Sequence, residues 1–540
     1  MRILPVNRST VLVELPGLEE VLALRDSLTT EPIDGIEESL PAARTLMLRF
    51  DPARLSADAL ATILPRRDLA ARRGTIGAAR AKLVEIPMRY DGEDLAEVAA
   101  LAGLEVDEVI RRHQQSEFMV AFCGFAPGFA YLIGGDPALQ VPRRQTPRPQ
   151  VPAGSVALGG VYCGVYPQAT PGGWRLIGTT DAKMWDADRD PPALLTPGTR
   201  VRFRDAAIDV AVTAAPSSSP LPSVRSWPPE VPASDPHLEV TAMMLPALLQ
   251  DLGRPGHAHL GVAPSGAADR ASLQVANLAV GNPPGAACLE LALGSAAFRC
   301  VGGGSDGMVV AFAGAPAPIS LQRASGEILE GVFGQPIALA SGDSVKIGYP
   351  ARGLRSYLAV QGGFDARRVL GSASRDSLAA LGPAPIVKGA ALRVASPVAA
   401  SLHPVAVDPT CAAATPSPLP ASGDTVVLDV TLGPRTESFT PETIALLGGQ
   451  DWKVTPQSSR VGLRLRGAQP LSRREATELP SEGVVRGAIQ VPHDGQPVLL
   501  LADHPLTGGY PVIAVVAEHH LDLSGQIPPG VALRFRVLTG

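Results

Sequence analysis

Short apolar runs that alternate with glycine- and proline-rich turns are the feature that most constrains this chain. From Phe118 to Thr213, and through most of 237–540, runs of valine, leucine and isoleucine are separated by turn signals, roughly every 8–12 residues. Glycine (55) and proline (53) make up a fifth of the 540 residues, without the strict period of collagen. Such spacing is typical of β-sandwiches and barrels, so the sequence predicts a mainly β protein.

A small α+β unit is predicted at the N-terminus, because strand-like alternation and helical spacing follow each other there. Its predicted strands and helices are Ser9–Leu15, Gly17–Leu28, Ala43–Phe50 and Ser56–Leu64, in the order strand, helix, strand, helix. Two further short helices are predicted over Asp94–Ala102 and Val106–His113. His113 at the end of the second is a candidate acid or base, although a histidine in that position is more often structural.

A proline- and serine-rich segment divides the chain. Residues 214–236 contain seven prolines and six serines, a composition that cannot bury a core and stays extended. A similar stretch, 396–424, is either a long loop or a boundary between subdomains. We therefore expect an α+β unit, a barrel, an exposed linker and two more barrels, over residues 1–85, 86–213, 214–236, 237–400 and 401–540 respectively.

A faint internal repeat links the two halves. A segment that begins at Pro152 leads to a Gly-Gly-Trp turn ending at Trp174, and a segment that begins at Pro480 leads to a Gly-Gly-Tyr turn ending at Tyr510. The spacings are unequal, so chance is one explanation. The other is that both halves carry related β-barrels.

Charge and cysteine content exclude several classes of protein. With 47 Lys+Arg against 52 Asp+Glu, the formal net charge is −5, without the basic surplus of nucleic-acid-binding proteins. No apolar run approaches the length of about 18 residues that a membrane span needs. The five cysteines are scattered and the first residues resemble no signal sequence. We expect a cytoplasmic protein with reduced thiols.

Two signatures of catalysis are excluded. The sequence has no Gly-Lys dipeptide, which excludes a P-loop. In Gly303-Gly-Ser305-Asp-Gly307 the serine precedes an apolar run that predicts a strand, whereas a nucleophile elbow needs a helix at that point.

No metal site and no biotinylation site are predicted. His519 and His520 would point to opposite faces of a strand, which disfavours joint ligation. His257 and His259 would share a face, but such a pair is usually not a metal site. Lys183 lies in Asp-Ala-Lys-Met-Trp-Asp, a weak imitation of a biotin-accepting sequence.

Three segments are unusually rich in glycine, proline, aromatic or arginine residues, and the first is rich in aromatics. In Phe122–Leu132, Phe129 and Tyr131 surround a turn fixed by glycines and a proline. A packed turn and an aromatic-walled pocket are equally good interpretations.

The second segment, Val141–Ser155, is a proline-stiffened strip that carries Arg143, Arg144 and Arg148. Fixed guanidinium groups suit a carboxylate or phosphate, which they bind in bidentate fashion. We expect an anion pocket bordered by Phe129, Tyr131, Arg143, Arg148 and Ser155. An exposed basic loop is the alternative.

The third segment, Gln250–Asp269, places Asp251 close enough to pair with Arg254. Ser265 and Asp269 flank a glycine turn before a predicted helix, Ala268–Val280. A helix N-terminus with a free hydroxyl suits an anion, but an ordinary helix cap is the more common role.

Taken together, these segments resemble two known families. Gly-Phe-Ala-Pro-Gly-Phe-Ala-Tyr-Leu, the arginine strip and Gly-Val-Tyr-Pro-Gln-Ala-Thr-Pro-Gly-Gly-Trp (164–174) are similar to the first allophanate-hydrolase-subunit, or KipI, family. The segment from Gln250 to Asn282, and Leu501–Pro511, are similar to the second, or KipA, family. The resemblance covers nearly the whole chain, which looks like a fusion of the two families joined at 214–236.

The resemblance implies a fold and several functions. It implies cyclophilin-like β-barrels and the B and C parts of an ATP-dependent 5-oxoprolinase, which uses ATP with Mg²⁺ and works with a separate A-type subunit on a small amide substrate. The alternatives are the carboxyltransferase part of a biotin-dependent urea carboxylase, with biotin on a separate chain, and a regulator of a histidine kinase. Association of several copies of the chain is left open.

The segments that match the two families also predict the site residues. Candidate catalytic residues are His113, Arg148, Ser155 and Asp269. Further candidates for binding substrate or anion lie in the matching segments: Phe129, Tyr131, Arg143, Tyr166, Trp174, Arg254, Ser265, Asn277, Glu290, Gln490, Asp503, Thr507 and Tyr510.

Overall fold

A computed structural model describes residues 1–69, 82–146, 148–206, 231, 235–302, 307–395, 419–475 and 479–538. Most of the predicted linker 214–236 and most of the stretch 396–424 lie outside these residues. Strands predominate over helices in the described residues, which confirms the prediction of a mainly β protein with a small α+β unit at its N-terminus.

The N-terminal unit is an antiparallel sheet flanked by helices. Its elements are β1 (Arg2–Asn7), β2 (Thr10–Glu14), α1 (Leu18–Thr30), β3 (Ile36–Pro41), β4 (Thr45–Phe50) and α2 (Ala57–Ile63). The strand order is β1-β2-β4-β3, and apolar residues of α1 pack on β2 and β4 in one core. Ser56 accepts a hydrogen bond from Ala59 N and so caps α2.

The first barrel follows. Its elements are β5 (Leu83–Met88), α3 (Leu95–Ala102), α4 (Val106–Gln115), β6 (Phe118–Cys123), β7 (Ala130–Ile133), β8 (Arg148–Val151), β9 (Ser155–Gly159), β10 (Tyr162–Val165), β11 (Thr170–Gly172), β12 (Arg175–Thr179) and β13 (Arg200–Asp205). The sheet runs β12-β9-β10-β7-β6-β13-β5, and hydrogen bonds between Arg89 and Thr179 join its two ends. Because β5 pairs in parallel with β13, the barrel begins at Leu83, and the predicted boundary at 85 falls inside a strand.

The middle domain is built from two sheets that enclose one core. Its elements are β14 (His237–Met243), β15 (Leu248–Gln250), α5 (Arg270–Ala279), β16 (Cys288–Ala292), β17 (Ala296–Val301), β18 (Met308–Gly314), β19 (Ile319–Gln322), β20 (Ile328–Gly331), β21 (Ile337–Leu339), β22 (Ser344–Ile347), β23 (Arg355–Val360) and β24 (Ala391–Arg393). The sheets run β20-β19-β22-β17-β14-β24 and β15-β16-β23-β18-β21. Strand β18 follows Gly307, as predicted, while Ser305 lies outside the described residues.

The C-terminal domain is a closed barrel. Its elements are β25 (Thr425–Leu432), α6 (Pro441–Gly449), β26 (Trp452–Val454), β27 (Gly462–Arg466), β28 (Glu482–Gly483), β29 (Ala488–Gln490), β30 (Val498–Leu500), β31 (Thr507–Gly508), β32 (Val512–Val516), α7 (Leu521–Ser524) and β33 (Ala532–Val537). The strands close in the order β25-β32-β29-β30-β27-β26-β33.

The first and C-terminal barrels have the same strand order, counted from β5 in one and from β25 in the other. The short ladder β8–β11 of the first barrel corresponds to β28–β31 of the second. The Gly-Gly-aromatic turns lie at the equivalent strands β11 and β31, whereas Pro152 follows β8 and Pro480 precedes β28. The two barrels are related, and only the turn part of the sequence repeat reflects this. Among the described residues, no helix combines the length and apolar character needed to cross a membrane.

Candidate functional site

The aromatic segment of the first barrel forms the turn between β6 and β7. Phe129 packs against Tyr131, Tyr166 and Trp174, with ring centroids 5.1, 5.2 and 5.4 Å away in edge-on arrangements. All four residues are buried. The rings fill the space between them, so the structure favours the packed turn over the aromatic-walled pocket.

The same turn is one of the contacts between the two halves of the chain. Phe125 N donates a hydrogen bond to Thr507 Oγ1 of the C-terminal barrel (3.2 Å), and Gly128 N donates to Leu260 O of the middle domain (3.2 Å). A Cβ at Gly124 would lie 2.8 Å from Thr507 Oγ1, so the close approach requires a glycine. The predicted residues Phe129, Tyr131 and Thr507 are thereby brought to one junction.

The arginine strip does not form the predicted anion pocket. Arg148 pairs with Asp94 (Nη2–Oδ1, 2.8 Å) and Glu93 (2.9 Å), and its side chain is only 14% exposed. Arg144 also pairs with Asp94. Burial would raise the pKa of Asp94, but these arginines and the hydrogen bond from Leu176 N lower it. The Arg148 charge is therefore neutralised inside the fold, contrary to the expectation of a guanidinium open to substrate.

Other predicted residues of the first half also have structural surroundings. Arg143 is exposed and lies over the Trp174 ring at 5.7 Å, and Ser155 is buried in β9. His113 is fully buried; Nδ1 lies 2.9 Å from the Tyr90 hydroxyl and Nε2 lies 3.5 Å from Cys163 Sγ. Burial lowers the pKa of His113 to about 3. It stays neutral in the barrel core and does not approach the other candidates.

A buried charge network joins the middle domain to the C-terminal barrel. Arg460 Nε donates to Asp503 Oδ2 (2.9 Å), and its Nη1 pairs with Glu290 across the domain boundary. Glu290 also pairs with Arg355 (3.2 Å) and accepts a hydrogen bond from the Tyr357 hydroxyl (2.8 Å). Two of the predicted binding residues, Glu290 and Asp503, therefore meet through an arginine that was not predicted.

Asp503 and Asp376 form a pair of carboxyl groups with different pKa values. Burial would raise the pKa of Asp503, but Arg460 and the hydroxyls of Ser377 and Ser265 lower it. The Ser265 hydroxyl donates to Asp503 Oδ1 at 2.7 Å. Burial, followed by the charge of Asp503, raises the pKa of Asp376 to about 7. Two carboxyl groups whose pKa values differ in this way can act as an acid and a base respectively.

Two predictions in the middle domain need correction. Asp269 is the N-cap of α5 and accepts from Ser272 N (2.9 Å), and this capping role accounts for its position. Arg254 does not pair with Asp251: its Nε donates to Val369 O (3.2 Å), while Ser372 and Ser374 hydroxyls surround Asp251. Arg254 is 2% exposed, and its Nη1 has no hydrogen-bond partner among the described residues.

The remaining candidates support loops. Asn277 donates to Ala286 O (2.7 Å) and Pro284 O (3.3 Å), which ties the end of α5 to the following loop. Gln490 Nε2 donates to Tyr510 O (3.2 Å) beside the Gly-Gly-Tyr turn. Neither side chain lies in the charge network.

The prediction for the adjacent histidines was wrong. His519 and His520 lie in a 3₁₀ helix, Glu518–His520, instead of a strand, and both approach Asp429, so the three could share a metal ion. Asp429 is already engaged: Arg536 pairs with it, His519 Nε2 lies 3.0 Å from its carboxylate, and its backbone N donates to His520 Nδ1. These partners satisfy the cluster without a metal.

Two clefts open near the junction. The first, of about 470 Å³, is lined by the segment 180–188 of the first barrel, by Tyr166 and by Arg367 of the middle domain. The second, of about 420 Å³, lies where the N-terminal unit, the first barrel and the middle domain meet, and its lining includes Arg25, Ser39 and His259. Sequence reasoning identified neither cleft, because each is formed by segments far apart in the chain.

Family models match both halves of the chain. Residues 1–195 match "Carboxyltransferase domain, subdomain C and D", and residues 260–537 match "Carboxyltransferase domain, subdomain A and B". The solved structure of TTHA0988 is similar over 98% of this chain and 99% of its own, with 35% sequence identity and a TM-score of 0.77.

Relatives match each half separately. The C component of 5-oxoprolinase from Escherichia coli (strain K12) is 32% identical over 290 residues, which cover 53% of this chain and 86% of the relative. The B component of 5-oxoprolinase from Bacillus subtilis (strain 168) is 38% identical over 187 residues, covering 32% and 77%. Urea amidolyase of Lachancea kluyveri is 32% identical over 313 residues, covering 55% of this chain but 17% of the relative. The chain therefore belongs to the carboxyltransferase-domain family, and it joins in one polypeptide the parts that are similar to the B and C components of 5-oxoprolinase.

Proposed function

We propose that this chain is the fused B and C component of an ATP-dependent 5-oxoprolinase, which opens 5-oxoproline to glutamate together with a separate A-type subunit. The observation that carries the proposal is the junction between the halves. The turn at Phe125 of the B-like half binds Thr507 of the C-like half directly, so that regions similar to two separate proteins form one continuous structure.

The interface between the middle domain and the C-terminal barrel contains a group suited to amide chemistry. Opening a lactam requires a proton for the departing nitrogen and stabilisation of the oxygen that becomes negative. Asp376, with its pKa near 7, is a group that can hold or release a proton at neutral pH. It is buried at 1% exposure, so in this arrangement we assign it proton storage within this interface and not contact with substrate.

Neither the charge network nor the first cleft has a surplus of positive charge for the phosphates of ATP. Arg460 and Arg355 of the charge network are paired with carboxylates. The first cleft sets Asp181, Asp186 and Asp188 against Lys183 and Arg367, and Arg367 already pairs with Asp188. Asp181 is likewise paired with Arg89, so these side chains give the cleft no net positive charge to attract a triphosphate. We therefore assign the use of the nucleotide to the A-type subunit.

An ATP-dependent glutamate-release assay with 5-oxoproline tests the proposal. The purified chain alone is expected to show little or no turnover, and addition of a cognate A-type subunit is expected to restore it. Robust turnover by the chain alone would contradict the need for a partner, and absence of turnover with the partner would contradict the function.

A carboxyltransferase role is the second candidate, because both family models describe carboxyltransferase subdomains and urea amidolyase is a relative. In that case biotin is carried by a separate chain. Transfer of the carboxyl group from carboxybiotin to urea, in the absence of 5-oxoproline hydrolysis, would favour this candidate.

A further inference from the structure

The second cleft contains a guanidinium group for which the described residues form no ion pair, with the charge of the neighbouring Asp26 as its electrostatic partner. Arg25 lies on α1, is half-buried and lines the cleft. Within the described ranges, no hydrogen bond or ion pair engages its guanidinium, and burial lowers its pKa. Since removing a charge from water without an ion pair is costly, an anionic ligand at this position would be stabilised.

The two glutamates of the cleft have another arginine as their ion-pair partner. Arg49 lies 3.3 Å from Glu37 and 3.6 Å from Glu38, and Glu38 also accepts a hydrogen bond from Ala258 N (2.9 Å). Burial raises the pKa of Cys123, which lines the same cleft, to about 12, so its thiol is neutral. Neither the two glutamates nor the thiol therefore pairs with Arg25 in the described part of the chain.

Two further polar groups line the cleft beside Arg25. The Ser39 hydroxyl has no hydrogen-bond partner within the described part of the chain, and His259 is exposed. A guanidinium with a neighbouring hydroxyl suits a carboxylate, and an imidazole can exchange a hydrogen bond with an amide. The volume of about 420 Å³ is in the range of small-molecule sites, roughly 300–1,000 Å³.

We propose that the Arg25 cleft is a carboxylate-binding subsite for a small carboxylic acid that carries an amide, the class to which 5-oxoproline belongs. The choice of 5-oxoproline rests on the proposed function, whereas the assignment of a carboxylate site rests on the cleft. A singly charged carboxylate is favoured over phosphate, because Glu37 and Glu38 at the cleft repel a doubly charged anion more strongly.

Binding by the purified full-length chain, without an A-type subunit, tests this inference. Ligand-observed NMR titrations would compare 5-oxoproline, 2-pyrrolidinone, which is the same ring without the carboxylate, and inorganic phosphate. We expect 5-oxoproline to bind the wild-type chain at least tenfold more tightly than either of the others.

Variants locate the site. Arg25→Gln should weaken 5-oxoproline binding about tenfold or more, the range for loss of a charge-assisted hydrogen bond, while Arg25→Lys should retain part of the affinity. The matched control is Arg54→Gln in the same unit, where an exposed arginine pairs with Asp34; its affinity should equal that of the wild type. Circular dichroism and the thermal midpoint would verify that each variant folds.

The outcomes separate this inference from the proposed function. Arg25-dependent binding of 5-oxoproline supports the subsite even if no A-type subunit yields glutamate. Unchanged affinity in a folded Arg25→Gln variant, the absence of binding by the wild type, or equal binding of phosphate would overturn the carboxylate assignment, even where ATP-dependent hydrolysis is observed.

Discussion

The Arg460 guanidinium of the C-terminal barrel is paired with Glu290 of the middle domain, and both side chains are at most 6% exposed. The pair lies 170 residues apart in sequence. Asp503 binds the other side of Arg460, so one positive charge holds two buried carboxylates from different domains. This arrangement fixes how the two domains of the C-like half sit against each other.

Replacement of Arg460 by methionine is predicted to be strongly destabilising. It leaves Glu290 and Asp503 as buried charges without their main partner, and breaking a buried pair in this way costs about 3–5 kcal/mol. Urea denaturation of the variant and the wild type would measure the loss. The control is Arg534→Met, which breaks an exposed pair with Asp451 and should cost about 1 kcal/mol or less; losses of equal size would contradict the role given to Arg460.

Asp376→Asn is predicted to flatten the dependence of stability on pH. The pKa of Asp376 is raised from 3.8 to about 7 in the folded chain, so between these values the folded state holds a proton that the unfolded state has released. Stability from this group is present below about pH 4 and falls as the pH rises to about 7, by up to ~1.4 kcal/mol per pH unit.

In the asparagine variant this contribution disappears, while the acceptor oxygen for Leu378 N and Ala379 N is kept. Urea denaturation at pH 5, 6, 7 and 8 would compare the slopes, and the variant should gain most relative to wild type at pH 8. Parallel pH profiles for the two proteins would show that Asp376 titrates normally.

Local sequence signals predicted much of the fold. Ser56 and Asp269 cap helices as their residue types suggest, and the strand-rich pattern predicted the barrels. A second repeat signal was available but missed: Pro-Gly-x-x, then Val-Arg-Phe-Arg ending at Arg204 and Leu-Arg-Phe-Arg ending at Arg536. These segments form β13 and β33, whose apolar residues alternate inward in both barrels.

Long-range pairing decided what the sequence could not predict. Arg148 was expected to bind an anion because it lies on a proline-stiffened strip with other arginines, yet the fold brings Asp94 to it from 54 residues away. Arg25 had no motif to mark it, and only the meeting of three domains places it at a cleft. Whether an arginine is neutralised or available depends on contacts between distant segments, which composition and spacing do not encode.

Arg148→Ala is predicted to lower stability more than Arg143→Ala. Arg148 is mostly buried and shares Asp94 with Arg144, so its removal weakens a partly buried ion network, by about 1–3 kcal/mol. Arg143 is exposed over Trp174, an arrangement that contributes about 0.5–1 kcal/mol. Thermal and urea denaturation of both variants would rank them; a larger loss for Arg143→Ala would contradict the structural role of Arg148.

The two halves are predicted to stay together after the chain is cut between them. A protease site inserted within residues 214–236 would allow the chain to be cut between the B-like half and the C-like half. The contacts of the Gly124–Phe129 turn with Thr507 and Leu260 should keep the two fragments in one peak on size exclusion.

Gly261→Ala is expected to weaken this association, because a Cβ there would lie 2.7 Å from Ala126 O across the junction. Gly281→Ala is the matched control: its φ of +75° resembles the +78° of Gly261, but a Cβ would meet open space, so it carries similar backbone strain without the clash. Separation of the wild-type fragments, or equal association of the two variants, would show that this turn does not hold the halves together.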